Sequence, residues 1–143
     1  MLAAPNLHKD LNVLQSVTFT YDTTENTSGL VGFVLPANVV IVPAACQVLI
    51  ERAFNGTSPT LAIGTQPSGG TLTNNSLFQT GDITVGTPGF YAASAAHVTA
   101  GGLNAMLTQD LAVVVTQSNT DSTAGLARIT IAYSSLVQGV HWE

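Results

Sequence analysis

The sequence predicts an all-β chain, an antiparallel β-sandwich of the jelly-roll type, from three observations. Apolar and polar residues alternate with the two-residue period of a strand in several short segments. These segments recur at fairly even spacing, separated by polar loops rich in Gly, Pro, Asn and Ser. No stretch carries the apolar face of a core helix. Two packed antiparallel sheets satisfy all three. An immunoglobulin-like sandwich ranks second, because a single cysteine cannot supply its Cys-Trp-Cys core. With 143 residues and 45% hydrophobic content, the chain suits one domain with a sizeable core. The expected division is an N-terminal arm over residues 1–12, a sandwich over 13–134 and a tail over 135–143.

Taken in order, Val13, Val17, Phe19 and Tyr21 share one parity with Gln15, while Ser16, Thr18 and Thr20 take the other, which predicts a first strand with a solvated face. Asp22 to Gly29 is a polar loop. Leu30 to Leu35 is a second strand with Val31, Phe33 and Leu35 on one face, and Pro36-Ala37-Asn38 turns the chain into the apolar Val39 to Val42, closed by Pro43. Cys46, Val48, Ile50 and Phe54 then fall on one parity, with Arg52 as the exception on that face. Asn55-Gly56 and Ser58-Pro59 supply turn residues before Leu61 and Ile63, so Ala45 to Thr65 reads as a β-hairpin.

From Gln66 to Asp82 the period is lost, and a long loop with brief strands is expected, anchored by Leu72, Leu77 and Phe78. Ile83 to Val85 reads as a short strand. Ala92 to Val98 favours helix by propensity but lacks apolar bulk, so a turn or two is expected before Gly101-Gly102. Leu111 to Val115 is a buried strand, Ser118 to Gly125 a hairpin loop, and Ala127, Ile129, Ile131 and Tyr133 mark the clearest alternating strand of the chain.

Charged residues make up 8% of the chain, against about 25% in ordinary soluble domains. Lys9, Arg52 and Arg128 are the only Lys or Arg residues and the formal charge is −5, so no basic patch exists to neutralise phosphates. Neither nucleic acid nor an anionic membrane is an expected partner. The uncharged run Leu30 to Ile50 is long enough for a membrane helix, but Pro36, Pro43 and the β-branched Val39 to Val42 favour strands. Met1 to Pro5 lacks the basic and apolar regions of a signal peptide, so secretion by that route is not expected.

Chemistry-bearing patterns are sparse. Cys46 is the single cysteine and reads as a buried strand residue. His8, His97 and His141 show no ligand spacing, and Asp22 with Glu25 supplies too few oxygens for a hard cation. Gly64 to Gly70 lacks the Lys-Ser/Thr ending of a phosphate loop. Asp82 and Asp110 are the pair from which a glycosidase-like site would have to be built. No catalytic residue, cofactor, metal or small-molecule substrate is expected.

The segment Leu35-Pro36-Ala37-Asn38, the apolar run to Val42, Ala53-Phe54-Asn55-Gly56 and the return Thr60 to Thr65 together resemble the capsid decoration, or cement, proteins of tailed bacteriophages. Asp110 to Tyr133 echoes the pattern more loosely. That resemblance implies jelly-roll subunits that form homotrimers on the outer capsid surface of the virion, bind the major capsid protein and clamp neighbouring capsomers. It carries over no catalytic or metal residue. The alternative is a tail, fibre or carbohydrate-binding sandwich, for which Phe90-Tyr91 is the candidate aromatic pair. Leu2, Leu7 and Leu11 at one end and Leu136, Val137, Val140 and Trp142 at the other lie outside the alternating strands, and they are the expected partner contacts.

Overall fold

The computed structural model describes residues 10–119 and 122–138. The chain forms the expected antiparallel β-sandwich from nine strands: Asp10–Asp22 (β1), Leu30–Leu35 (β2), Val39–Ile41 (β3), Gln47–Arg52 (β4), Thr60–Pro67 (β5), Thr73–Phe78 (β6), Gly89–Ala92 (β7), Leu111–Ser118 (β8) and Leu126–Gln138 (β9). One sheet runs β1-β9-β4-β7, with β3 also on β9, and the other runs β2-β8-β5-β6. With β3 set aside and the two orders read side by side, every strand stands opposite its neighbour in sequence: β1 with β2, β9 with β8, β4 with β5 and β7 with β6. That wrapping of the chain between two four-stranded sheets is a jelly roll.

This topology corrects two expectations. The segment Ala45 to Thr65 is not a hairpin, because β4 pairs with β7 and β9 while β5 pairs with β6 and β8. The loop after Ser118 likewise carries the chain from one sheet to the other. Both connections are arches across the core, since the apolar faces of the strands they join must meet from opposite sides.

Strand β9 is the spine of its sheet. It pairs along its whole length with β1, and on its other side first with β4 and then with β3. The 3-10 turn Pro43–Ala45 interrupts that second side. There Cys46 takes over from the ladder: the Ala132 N–H donates to its Sγ at 3.3 Å, while the Val42 N–H donates to the Ala132 carbonyl at 3.0 Å. Cys46 is fully buried, as its parity predicts, and burial pushes its thiol pKa up.

Val48, Ile50, Ile129 and Ile131 from one sheet meet Leu61, Ile63, Val113 and Val115 from the other, all fully buried. Two bulges redirect side chains that strict alternation misplaces. A register break between Ile50 and Arg52 turns Arg52 outward, where it pairs with Asp22 at 3.0 Å across β9. A second break between Val31 and Phe33 leaves Val31 half-exposed, contrary to its expected place beside Leu35 on the inner face. Gly32 sits at this break because a Cβ there would meet the Phe19 ring at 2.4 Å, and Phe19 in turn packs edge-on against Phe33.

Ile83 to Val85 is not a strand. Its two apolar side chains are buried anchors beneath a loop, and the Phe54 N–H donates to the Val85 carbonyl. The short helix is present as Ala95–Ala100 (α1), capped by Ser94 and stopped at Gly101, with Val98 buried. Among the described residues no helix is long and apolar enough to cross a membrane.

Candidate functional site

Among the described side chains, the outer surfaces of the sheets carry little charge, and Arg52, Arg128, Asp22 and Glu51 there are paired. On the β1-β9-β4-β7 face, Arg128 binds Glu51 at 2.9 Å and Arg52 binds Asp22. Asp22 also accepts from the side chain and the N–H of Thr24, which with the Arg52 guanidinium holds its carboxyl below the usual range. The cross-strand hydroxyls of Thr18 and Thr130 lie 2.9 Å apart.

The candidate chemistry of the sequence is consumed by structure. Asp110 accepts from the Ala37 N–H at 2.8 Å, while Asp82 accepts from the Gln79 N–H at 2.9 Å and lies 2.8 Å from His97 Nδ1. Each carboxylate closes a turn. Among the described residues no cluster of His, Cys, Asp or Glu is arranged to hold a metal ion.

The aromatic pair splits in two. Tyr91 packs against the core and donates its hydroxyl to the Thr87 carbonyl, whereas Phe90 stands 67% exposed on the short edge strand β7. Among the described residues, the other exposed large apolar side chains are Leu14 on β1, Val31 and Val34 on β2, and Met106 in the loop before β8. Three of these five lie on the matching edges β1 and β2, where the sandwich is open. Val31 is turned out by the bulge at Gly32, whereas Leu14 and Val34 take the outward parity of their strands.

Of the residues expected to contact a partner, Leu11 and Val137 are cross-strand neighbours in the β1–β9 ladder, and Leu136 is opposite Asn12. Strand pairing therefore runs past both expected boundaries: residues 10–12 of the expected arm and 135–138 of the expected tail form one ribbon. Leu2, Leu7, Val140 and Trp142 lie outside the described residues.

The fold decides the comparison. It is shared with chains of three phage capsid structures. The chain matches one in the cyanophage Pam1 capsid asymmetric unit at TM-score 0.60 and 18% identity, over 94% of this chain and 93% of that one. It matches another in the acid-stable capsid of the Helicobacter pylori bacteriophage KHP30 at 0.53 and 14%, over 93% and 99%. A third, in the capsid of Ralstonia phage GP4, matches at 0.51 and 21%, over 89% and 86%. No protein-family model and no curated protein matches the chain.

One buried polar group also escaped the sequence reading. Gln117, buried on β8, accepts at Oε1 from the hydroxyls of Tyr21 and Thr23 and donates its N–H to Ser28. It ties the polar loop after β1 to the opposite sheet.

Proposed function

We propose that the chain is a structural virion protein that decorates the outer surface of a phage capsid, binds the major capsid protein and reinforces contacts between capsomers. The observation that supports this most is the end-to-end correspondence with capsid chains, which leaves little of either partner unmatched. A surface with few charges, all of its described arginines paired, suits a body that meets neighbours over broad areas. The reading is non-enzymatic, and in it the sandwich works as a homotrimer whose chain ends reach the shell. Light scattering of the purified protein should give the mass of three chains, and a single-chain mass would limit trimers to the capsid.

The ends are tested by deletion. Removing residues 139–143 spares the described part of β9, so the variant should fold while binding purified shells less tightly and protecting them less against heat. Undiminished binding by a folded variant would remove the C-terminal end from the contact. A second reading, a tail or fibre module that binds glycans, draws on the exposed Phe90 beside Leu49 in the β7–β4 ladder. A glycan array separates the two readings, and the capsid reading predicts no hit that Phe90→Ala abolishes.

A further inference from the structure

We propose that the free edge of β1 is a strand-addition site, filled on the virion by an extended segment of the shell subunit; this rests on the capsid reading above. β1 ends its sheet and bonds to β9 through thirteen consecutive pairs without a register break. Alternate N–H and C=O groups along it therefore point away from the sheet, and among the described residues no strand pairs with them. Proteins normally blunt such an edge by shortness, charge, proline or a bulge. The other edges follow that rule, for β7 has four residues while β2 and β6 have six each with a register break. Between Asp10 and Asp22, β1 has no charge, no proline and no bulge.

Exposure marks the same place. Leu14, Gln15 and Ser16 are exposed in succession, so both faces of the strand are open there. Beyond Val13 toward the chain ends, β1 and β9 pair only with each other among the described residues, an arrangement of marginal stability in water that a third strand completes. At the other end of the edge, a groove of about 430 Å³ between Phe19-Thr20 and Val31-Gly32 offers room for a side chain of the incoming strand.

Charge selects the occupant. A second copy pairing antiparallel over the full strand would set Asp10 against Asp22 at both ends, and like charges directly opposite destabilise a ladder. The fitting partner is an extended segment, uncharged through its middle and without carboxylates at its ends. One strand pair is also small beside the roughly 1,200–2,000 Å² of a stable interface, so the site fills only when the sandwich is already held on the shell.

Amide hydrogen exchange on the full chain, free and bound to purified shells lacking it, tests the site. Binding should slow exchange at alternate residues from Leu14 to Thr20, those facing away from β9, while the intervening amides are protected in both states. Leu14→Lys with Ser16→Lys, both exposed, should weaken shell binding by about tenfold or more without changing the melting of the free protein, and Gln47→Lys on the same sheet should not. Shell binding that leaves β1 exchange unchanged overturns the proposal, as does full-strength binding by the double lysine variant. Protection of β1 in a solution dimer would assign the edge to a second copy instead. Failure of the unaltered chain to bind any shell overturns the capsid reading and this inference with it.

Discussion

Asn55 shows how much of the arch geometry one side chain can fix. Its Oδ1 accepts from the N–H groups of Thr123 and Ala124 at 2.7 and 3.0 Å, and its Nδ2 donates to the Thr123 hydroxyl. Beside it, Phe54 stacks on Tyr21 and lies where a Cβ on Gly125 would fall, 2.5 Å from its ring. The Phe-Asn-Gly run therefore locks the β4–β5 arch to the β8–β9 arch. Asn55→Ala should cost about 1–3 kcal/mol, since two main-chain donors lose their acceptor, and chemical denaturation measures it. Asp22 gives the pH dependence. Its carboxyl is held down by Thr24 and Arg52, so its contribution is complete above about pH 4 and is lost as pH falls through the lower folded value. Cys46 works the other way: above about pH 8.5 its thiol ionises in the unfolded chain but not in the core, and stability falls. Stability measured from pH 2 to 10 should show both limbs, with Asp22→Asn flattening the acid one and Cys46→Ala the alkaline one.

At the level of elements, alternation revealed strands but not their partners. Parity reports which side chains face a core, so Ala127, Ile129, Ile131 and Tyr133, and Cys46, Val48, Ile50 and Phe54, were legible as buried. It cannot tell a hairpin from an arch, because both return an apolar face to the same core. The bulges at Gly32 and before Arg52 escaped for a related reason: each is a local response to a packing partner distant in sequence, Phe19 in one case and Asp22 in the other. Gly64 belongs to the same class. It falls in the expected returning strand, but its reason for being glycine was not legible: it lies buried in β5, where a Cβ would fall 1.8 Å from the Thr73 carbonyl oxygen. Gly64→Ala should therefore push β6 off β5 and cost about 3 kcal/mol or more, at the upper end for an added methyl. A thermal midpoint within ~2 °C of the unaltered protein would show that β6 does not press on β5 in this way.

For the whole molecule, low charge and absent chemical motifs pointed toward a structural role, and the sandwich accounts for how so uncharged a chain stays ordered. Asp22 and Glu51 pair with arginines, Asp82 closes a turn, Asp110 ties two connections together, and the hydroxyls of Thr18 and Thr130 bridge strands. The contact surface was only partly legible. Leu11 and Val137 were identifiable as apolar residues near the ends, but that they share a ladder, and that β1 and β2 form the open side of the molecule, are properties of strand order. The central claim is one of placement, and cryo-electron microscopy of the virion that carries this chain tests it most directly. The account predicts density for the sandwich on the outer capsid surface, bridging neighbouring capsomers, with β1 turned toward the shell. Density for the chain in the tail or a fibre, or inside the shell, would contradict it.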